Sequence, residues 1–558
     1  MSNAVLITPS FWDPVCPPLG IVSLKSFAEQ FGHKVNILDL NTTNKIFEVQ
    51  EQYFKEVINQ FPYMKQWNIK RNGTEMLSLH QILYLFAKNQ KNYKELVTDV
   101  LNMDKRPFDK FVDSLNISKF DDLFDKLYSN IKKSIENIVD EKIDVVGCHL
   151  NNSTWAATLF ILKFIKDKYP HIKTVVGGPG PIFGFSSNIK EVEMFMKKNT
   201  FIDHFIVGEG EKCFLEILNN KKYPENILSK SSLINSPSNI PDKILIKDLP
   251  VPDYEGLDVK RYLMLSIAAS RGCPFECSFC AETVYWDGFR SDKGQRVFEM
   301  MDYLVKKYQR NSFYLCDSLA NHIISPLTKL ISENNKEFLV DCYLRADKIC
   351  TNEERTKEWR NGGLFKARIG CESANQRILD DMVKMTTPEN MAKSFSALAK
   401  HGILTTTLWI VGYSGETEDE FENTLRFIED NRKNIFQADA YLFQYNASGL
   451  SGSSKFEERH GSANRFTEEV NQLLAFSPYV LEDGIKPAEK FDRLVRYTTK
   501  MKELDIPNPY SFPEMLYAIN RFKDLHTNSG WNPLKSMMPY TDVNKQAGTE
   551  FFPLTAGH

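Results

Sequence analysis

The sequence predicts an α/β fold in three parts: an N-terminal doubly wound parallel sheet, a partial (βα)6 barrel and a mainly helical C-terminal domain. Two observations support this prediction. Short apolar segments alternate with segments of helical period in residues 1–235 and again in residues 261–450. In residues 451–558 the periodic segments are mainly helical. Residues 236–260 lie between the two alternating regions and are predicted to be a linker.

The N-terminal sheet begins with an apolar strand at residues 5–8, which a proline-containing loop joins to a helical segment at residues 19–31. Gly32 ends this helix, and residues 35–38 form the second strand. A strand-helix-strand unit with apolar strands begins a doubly wound, Rossmann-like sheet. The pattern resumes in apolar segments that begin at residues 143, 174 and 205.

Residues 41–140 interrupt this alternation. They are rich in Phe, Tyr, Leu, Lys and Asn, and their apolar residues recur at spacings of three and four. The pattern predicts a helical insertion between the second and third strands. Two roles remain open for the insertion, since it either covers the substrate side of the protein or only buttresses the sheet.

Small and polar residues follow the strands of the N-terminal sheet. Ligands bind doubly wound sheets at the carboxyl ends of the strands, where small residues let the backbone approach a large flat ligand. Hydroxyl groups at the same ends can hydrogen-bond its polar periphery. Each glycine pair alone is weak support, because glycine occurs in most α/β loops. The strand-end residues are Asn152, Ser153, Thr154, Gly177, Gly178, Pro179, Gly208, Glu209 and Gly210.

The second alternating region predicts a TIM-type partial barrel. Six strand-helix units fit a (βα)6 arrangement, in which chemistry takes place at the carboxyl ends of the strands. One of its helices begins with a capping box, Thr417-x-x-Glu420. The six predicted strands are residues 266–269, 312–316, 338–343, 367–370, 404–411 and 438–443.

Polar or small residues follow four of these barrel strands, at the positions where a barrel binds its ligands. Each charged one, taken alone, is also compatible with a surface ion pair. These candidate site residues are Asp317, Arg345, Glu372, Ser373 and Gly412.

Three cysteines with the spacing C-x3-C-x2-C follow the first barrel strand, and Phe279 directly precedes the last of them. Three thiolates can hold three irons of a cubane cluster, which leaves the fourth iron open to a small chelating molecule. The alternatives are a zinc site, for which Cys316 and His322 are the candidate fourth ligands nearby, and unrelated buried cysteines. The three cysteines are Cys273, Cys277 and Cys280.

This motif resembles that of the radical SAM superfamily, in which S-adenosylmethionine (SAM) chelates the open iron. Residues 366–377 resemble the Gly-Ile-Glu-Ser-Gly-Ser/Asn-Gln motif of its cobalamin-type members. Residues 343–347 resemble their Arg-Ala-Asp strand, and residues 412–417 their Gly-x-Pro-Gly-Glu-Thr turn, with Ser414 in place of proline.

The resemblance implies which residues bind SAM. It assigns the ribose to Glu372 and the methionine carboxylate to Arg345, a charged donor suited to that group. The Gly-Gly-Glu motif that binds the SAM amino group in many relatives is missing, and Asp317 is expected to substitute for it. The remaining expected SAM contacts are Phe279, Ser373 and Gly412.

The N-terminal part resembles the cobalamin-binding domain of the same enzymes over residues 1–40 and 141–220. The resemblance lies in the order of Pro-Pro-Leu-Gly, Gly-Gly-Pro and Val-Gly-Glu-Gly-Glu along the chain. The resemblance implies that the strand-end residues contact cobalamin, and it adds Leu19 and Gly20 to these expected contacts. The Asp-x-His-x-x-Gly motif of cobalamin mutases is absent, so the resemblance implies a lower cobalt face without that histidine, approached by residues 152–154.

Composition restricts the classes of binding partner and the cellular compartment that are expected for this chain. The chain has 558 residues, a formal net charge of −3 and ten cysteines. The near-neutral charge does not predict a nucleic-acid or anionic-membrane surface, and no apolar run approaches the length of a membrane span. No signal peptide is expected at the N-terminus. Irregularly spaced cysteines favour a reducing, cytoplasmic setting.

The resemblance implies three cofactors, namely a [4Fe-4S] cluster, SAM and cobalamin. The expected function is a cobalamin-dependent radical SAM methyltransferase acting on an unactivated carbon, or a phosphinate phosphorus, of a natural product or peptide. A small-molecule or peptide substrate and an electron donor such as flavodoxin or ferredoxin are the expected partners. Two alternatives are a non-methylating rearrangement or cyclisation enzyme and a non-catalytic cobalamin carrier or sensor.

Overall fold

In the described residues of the computed structural model, the chain forms two six-stranded parallel sheets and two two-stranded sheets. Helices connect the parallel strands, which confirms the predicted α/β fold class. Among the described helices, none is long and apolar enough to cross a membrane. The structure describes residues 1–10, 15–61, 74–101, 115–180, 189–220, 227–228, 244–443, 445, 458–464, 466–475, 479–506 and 512–526.

The first sheet has the strand order β2-β1-β3-β4-β5-β6, with all neighbours parallel. The chain therefore fills one side of β1 and then the other, as a doubly wound sheet does. The direction changes between β1 and β3, and ligands bind outside the carboxyl ends of the strands at such a point. The strands are β1 (Asn3–Thr8), β2 (Lys34–Asp39), β3 (Val145–Asn151), β4 (Lys173–Gly180), β5 (His204–Ile206) and β6 (Ile227–Leu228).

The central strands of this sheet are apolar because both of their faces are covered. Val5, Leu6 and Ile7 of β1 are buried, as are Val145 and Val146 of β3. The helices of this part of the chain are α1 (Leu19–Glu29), α2 (Asn44–Gln60), α3 (Thr74–Ala87), α4 (Tyr93–Leu101), α5 (Ile117–Glu136), α6 (Trp155–Lys168), α7 (Ile189–Lys198) and α8 (Glu211–Leu218).

Helices α2, α3, α4 and α5 lie between β2 and β3, where the sequence predicts a helical insertion. Their shared core is aromatic: the Tyr53 ring packs between those of Phe120 and Phe124. The Tyr53 hydroxyl lies 3.1 Å from Nδ1 of His80, and burial lowers the pKa of His80 to about 3. Helix α3 packs against α6, so the insertion contacts the helices that cover the first sheet.

The second sheet has its six strands in chain order, all parallel, as the predicted (βα)6 unit requires. A short antiparallel pair, β8–β9, stands between the first and second of them. The strands from β7 to β14 are β7 (Leu265–Ile267), β8 (Ser270–Arg271), β9 (Arg290–Ser291), β10 (Ser312–Leu315), β11 (Leu339–Leu344), β12 (Leu364–Glu372), β13 (Leu404–Val411) and β14 (Gln437–Leu442).

Seven helices accompany the second sheet. The capping box predicted at Thr417 and Glu420 is present, and it begins the last of these helices. The helices are α9 (Glu282–Trp286), α10 (Gly294–Tyr308), α11 (Ile324–Glu333), α12 (Glu353–Asn361), α13 (Gln376–Asp381), α14 (Pro388–Lys400) and α15 (Glu418–Asn431).

The two faces of the second sheet differ in polarity. One face is apolar and buried, with Phe313, Val340 and Trp409 among its residues. On the other face, the buried Arg368 guanidinium makes two hydrogen bonds of 2.8 and 2.6 Å to the carboxylate of Asp341 on the neighbouring strand. A buried charge persists when it is paired in this way.

The C-terminal region contains helices at the positions that the sequence predicts, together with an antiparallel strand pair that it does not predict. This pair joins β15 (Gly461–Asn464) to β16 (Tyr479–Glu482), with a helix between them in the chain. Its first strand reads Gly-Ser-Ala-Asn and lacks the apolar alternation that reveals a strand in a sequence. The helices are α16 (Glu468–Leu474), α17 (Pro487–Glu503) and α18 (Phe512–Leu525). The domain boundaries stay predictions, and residues 236–243 of the predicted linker lie outside the described residues.

Candidate functional site

Cys273, Cys277 and Cys280 lie in the loop between β8 and α9. The Cys280 backbone N–H donates to the Cys277 carbonyl oxygen at 3.0 Å, which closes a tight turn around the last two cysteines. The Ser278 N–H donates to the carbonyl of Met382 at 2.9 Å and fastens the loop to the segment after α13. None of the three cysteines forms a disulfide bond.

Burial of the cysteine loop favours the protonated form of two of its thiols, those of Cys273 and Cys280. Burial raises the pKa of Cys280 to about 12, and burial also raises the pKa of Cys273. Cys277 is near enough to both thiols to interact with them electrostatically. Metal binding at this loop would release protons, as it does wherever thiols become thiolate ligands.

The alternative zinc site is not formed in the described part of the chain, where no three His, Cys, Asp or Glu side chains converge on one ion. The Cys316 sulfur instead lies 3.9 Å from the carbonyl of Tyr314 on its own strand. The His322 ring packs against the ring of Phe289, with 5.1 Å between centroids. A cubane cluster does not require three side chains around a single ion, because each of its three cysteines binds a separate iron.

Arg345 directly follows β11 and lies beside the cysteine loop. Its Nη1 is 3.9 Å from the Cys277 sulfur, and its guanidinium carbon lies 3.9 Å from the centre of the Phe275 ring. The backbone of Arg345 exchanges two hydrogen bonds, of 2.8 and 3.1 Å, with the side chain of Asn321. The side chain is buried, and its Nη2 has no hydrogen-bond partner. A buried guanidinium edge without a partner is suited to a carboxylate ligand.

Glu372 ends β12 in a left-handed backbone conformation, with φ +67°, next to an irregularity in the pairing with β13. Its carboxylate accepts a hydrogen bond of 2.8 Å from Nζ of Lys384. Burial lowers the pKa of Lys384, but the charges of Glu372 and Cys277 outweigh it and raise that pKa overall. Lys384 Nζ also lies 5.5 Å from the centre of the Phe279 ring. Lys384 is therefore a member of the site that sequence reasoning missed.

The other three residues expected to contact SAM have partners within the protein. Asp317 accepts hydrogen bonds from the Ala269 N–H, at 3.0 Å, and from the Ser270 hydroxyl, and burial raises its pKa to about 6. The Ser373 hydroxyl accepts from the backbone of Asn375, and the Gly412 N–H donates to Glu416. Their SAM contacts stay predictions.

A cavity of about 130 Å³ opens beside the strands of the first sheet, close to the change of direction between β1 and β3. Six of the residues predicted to contact cobalamin line it, namely Gly20, Gly177, Gly178, Gly208, Glu209 and Gly210. Apolar side chains supply much of the remaining wall, among them Leu24, Ile206 and Phe214. We call this cavity the glycine-lined pocket.

The glycines of this pocket differ in what they do. A Cβ on Gly178, which has φ +125°, would lie 2.5 Å from the carbonyl oxygen of Leu150, so this glycine serves the packing of β4 on β3. A Cβ on Gly20 or Gly208 would meet nothing within 4 Å. The missing side chains of Gly20 and Gly208 therefore keep the pocket open.

Two of the predicted contacts on the loop after β3, Ser153 and Thr154, are hydrogen-bonded to Asn151. The Asn151 N–H donates to the Thr154 hydroxyl at 3.0 Å, and the Thr154 N–H donates to the Asn151 side chain at 2.9 Å. The Ser153 hydroxyl donates to the same Asn151 oxygen. This turn leads into α6, and its approach to a cobalamin lower face stays a prediction, as do the contacts of Leu19, Asn152 and Pro179.

Three residues from the second sheet's side complete the glycine-lined pocket, namely Arg271, Tyr285 and Trp286. The sequence did not predict these three as pocket residues, because no local pattern indicates that the cysteine loop packs against the first sheet. Arg271 stands only two residues before Cys273. The two candidate sites are therefore neighbours.

Gly272 is expected to be indispensable for the cysteine loop. It has φ +79°, and a Cβ there would lie 2.2 Å from the backbone oxygen of Gly288. We expect Gly272→Ala to lower the free energy of unfolding by more than about 3 kcal/mol, since a backbone clash adds to the left-handed strain. Thermal and urea unfolding followed by circular dichroism measure the loss.

Gly415→Ala is the matched control for this prediction. Gly415 has φ +76°, and a Cβ there would meet nothing within 4 Å. Its variant carries only the left-handed strain, about 1–2 kcal/mol. Equal losses of stability in the two variants would show that the close approach of Gly272 to Gly288 does not matter.

Comparison with known proteins gives a family match for part of the chain and a shared fold. Residues 267–428 match the radical SAM superfamily. The chain is 27% identical over 315 residues to an anaerobic magnesium-protoporphyrin IX monomethyl ester cyclase of Rubrivivax gelatinosus, which covers 53% of this chain and 56% of the cyclase. It is 26% identical over 317 residues to the uncharacterized methyltransferase PH0819 of Pyrococcus horikoshii, covering 54% of this chain and 67% of that protein. The chain thus spans little more than half the length of the cyclase.

Solved structures share the whole architecture. The radical SAM methyltransferase TsrM of Kitasatospora setae, with cobalamin and a [4Fe-4S] cluster bound, superposes with a TM-score of 0.57 at 12% identity. The match covers 95% of this chain and 100% of TsrM. At this identity the likeness concerns the fold alone, and it spans both sheets. The family match falls on the second sheet and its cysteine loop, so residues 267–428 of this chain are similar to the radical SAM superfamily.

Proposed function

We propose that the protein is a cobalamin-dependent radical SAM methyltransferase that acts on an unactivated carbon, or a phosphinate phosphorus, of a natural product or peptide. The observation that carries the proposal is the adjacency of two sites. Arg271 lines the glycine-lined pocket and stands two residues before the first cysteine of the loop. A methyl donor in the pocket and a radical generator at the loop would then be neighbours, as methyl transfer to a substrate radical requires.

The residues of the cysteine loop fit a cluster and its SAM ligand. Cys273, Cys277 and Cys280 would hold three irons, and the buried, unpartnered Nη2 of Arg345 would hold the carboxylate of SAM. A cluster held there supplies the electron that cleaves SAM, and the electron would come from a donor such as flavodoxin or ferredoxin. The cations of Arg345 and Lys384 offset the negative charge of thiolate ligands, since both interact with the cysteines.

The lining of the glycine-lined pocket is suited to an apolar portion of a large ligand, of which the cavity of about 130 Å³ would hold a part. Gly20 and Gly208 leave it open, and Leu24, Ile206 and Phe214 give it an apolar wall. A cobalamin bound in it would supply a transferable methyl group. TsrM, which shares this fold, is a methyltransferase that holds cobalamin, and this supports the assignment.

Isotope labelling tests the proposal. The anaerobically reconstituted protein is incubated with methyl-deuterated SAM, cobalamin, a reductant and candidate substrates, and the products are analysed by mass spectrometry. We expect one deuterated methyl group in the product, together with 5′-deoxyadenosine and S-adenosylhomocysteine. Deoxyadenosine without a labelled product or S-adenosylhomocysteine contradicts methyl transfer.

A second candidate function is cyclisation or rearrangement without methyl transfer. The observation that favours it is the likeness to the magnesium-protoporphyrin IX monomethyl ester cyclase, at 27% identity. The same labelling experiment separates the two candidates, because a cyclase forms a new bond within its substrate and leaves no labelled methyl group on it.

A side chain that fills the glycine-lined pocket is expected to reduce methyl transfer without reducing SAM cleavage. Gly20→Leu should fold, because a Cβ at this position meets nothing within 4 Å, and the larger side chain should weaken cobalamin binding more than about tenfold by occupying the pocket. Cobalamin binding is measured by absorption after gel filtration. Methyl transfer should fall with it, while SAM cleavage persists.

Gly20→Ala provides the control at the same position. One methyl group occupies little of the pocket, and alanine favours the helix that begins at Leu19. We expect nearly unchanged cobalamin binding. If Gly20→Leu also binds cobalamin like the unaltered protein, the glycine-lined pocket is not the cobalamin site.

A further inference from the structure

An ionic cluster joins the cysteine loop to the rim of the glycine-lined pocket. Nη1 of Arg271 lies 3.0 Å from a carboxylate oxygen of Glu209 and 3.3 Å from one of Glu211, and its Nη2 also bonds to Glu211. Arg290 contacts the same Glu209, with 3.2 Å between Nη1 and Oε2. Two arginines of the second sheet's side therefore pair with two glutamates of the first sheet.

The cluster is shielded from water. The side chain of Glu211 is 4% exposed and that of Arg271 is 11% exposed. Ion pairs on open surfaces are worth little, whereas removing one partner of a buried pair leaves an uncompensated charge. The contact between Arg271 and Glu211 is therefore costly to break.

On the first sheet's side, the cluster holds the segment that shapes the pocket. Glu209 lies between Gly208 and Gly210, which line the pocket, and Glu211 begins helix α8. These two carboxylates therefore belong to the chain segment that forms the pocket rim. The Trp286 ring adds to this wall, and the guanidinium carbon of Arg271 lies 5.3 Å from the centre of that ring.

On the second sheet's side, the cluster holds the start of the cysteine loop. Arg271 and Arg290 are directly paired in the β8–β9 ladder, and Gly272 packs against the backbone of Gly288 behind them. Ser270, the residue before Arg271, donates its hydroxyl hydrogen bond to the buried Asp317. The backbone from Ser270 to Cys273 thus has little freedom to move independently of the pocket rim.

We propose that Arg271 is a positioning residue that couples the two cofactor sites. A ligand in the glycine-lined pocket then favours the cluster-binding arrangement of the cysteine loop, and a cluster at the loop favours ligand binding in the pocket. The inference rests on the proposed function, because it assigns cobalamin to the pocket and the cluster to the loop. Coupling between two sites is reciprocal, so each cofactor tightens the binding of the other by the same factor.

The coupling is measured as a ratio of two dissociation constants. Cobalamin is titrated into the full chain with its cluster reconstituted and into the same chain without a cluster, and binding is followed by absorption and tryptophan fluorescence. We expect about tenfold tighter cobalamin binding in the cluster-loaded protein, within the range usual for coupled sites. In Arg271→Gln and in Glu211→Gln this ratio should fall to about 1.

A double variant and a control make the result specific. Arg271→Gln combined with Glu211→Gln should resemble either single variant, because the two residues act through one contact. Arg496→Gln removes an arginine that pairs with Glu418 and Glu422, and the ratio should stay as in the unaltered protein. Circular dichroism establishes that each variant is folded, and Glu211→Gln, which removes the same contact from the other side, decides the question if Arg271→Gln does not fold.

The outcomes separate this inference from the proposed function. If the unaltered protein binds no cluster or no cobalamin, the proposed function fails. If it binds both but the ratio is 1, or the ratio survives in folded variants of Arg271 and Glu211, the coupling role of Arg271 is wrong while the proposed function stands.

Discussion

Replacing any one of Cys273, Cys277 or Cys280 by Ala is expected to abolish reductive cleavage of SAM. Each variant would leave one cluster iron without its cysteine ligand. We expect a loss of more than about 100-fold, beyond the 10–100-fold that follows from altering groups that only support metal ligands. Iron content and 5′-deoxyadenosine formation after anaerobic reconstitution measure the effect.

Cys342→Ala is the control for the three cysteine variants. Cys342 is a free, buried thiol on β11 that packs in the apolar core. Its replacement costs some stability but should leave iron content and SAM cleavage intact. Full SAM cleavage in a variant of Cys273, Cys277 or Cys280 would show that the cysteine loop does not hold the cluster.

Arg345→Ala is expected to have the second largest effect. The variant removes a buried guanidinium whose Nη2 has no protein partner and whose Nη1 lies 3.9 Å from the Cys277 sulfur. If this group holds the SAM carboxylate, its loss should weaken SAM binding at least about 30-fold, because truncating one partner of a buried charge pair costs about 2 kcal/mol or more. Equilibrium binding of SAM to the cluster-loaded protein gives the value.

Arg345→Lys refines this test. Lysine keeps the charge but lacks the planar fork that matches a carboxylate, so we expect an intermediate loss of about tenfold. Arg377→Lys is the control, because Arg377 makes two hydrogen bonds of 2.6 Å to Glu420 and stands apart from the cysteines. Unchanged SAM affinity in Arg345→Ala would remove this arginine from the SAM site.

The backbone architecture was predictable because its signals are local. Apolar residues recur in all six strands predicted for the barrel, and each strand lies within a few residues of its predicted position. The capping box at Thr417 and Glu420 shows the same locality, since its two residues are three apart. The antiparallel pair of β15 and β16 was not predicted because backbone pairing between segments on either side of a helix, rather than apolar alternation, defines it.

The candidate site was predictable only in part. The three cysteines were found because they share one loop, and Arg345 was found because it follows a strand. Lys384 was missed, since its pairing with Glu372 spans a short helix and depends on how the chain returns to the strand end. The contact between Arg271 and Glu211 was missed for a similar reason, because these residues are sixty positions apart and meet only when the two sheets pack together.

The central claim is that the cysteine loop holds a [4Fe-4S] cluster with one open iron. The most direct measurement is iron analysis with electron paramagnetic resonance of the reduced, anaerobically reconstituted protein, recorded before and after SAM is added. We predict about four irons per chain and a cluster signal that changes when SAM binds. Zinc in place of iron, or a cluster signal that SAM leaves unchanged, would contradict the account.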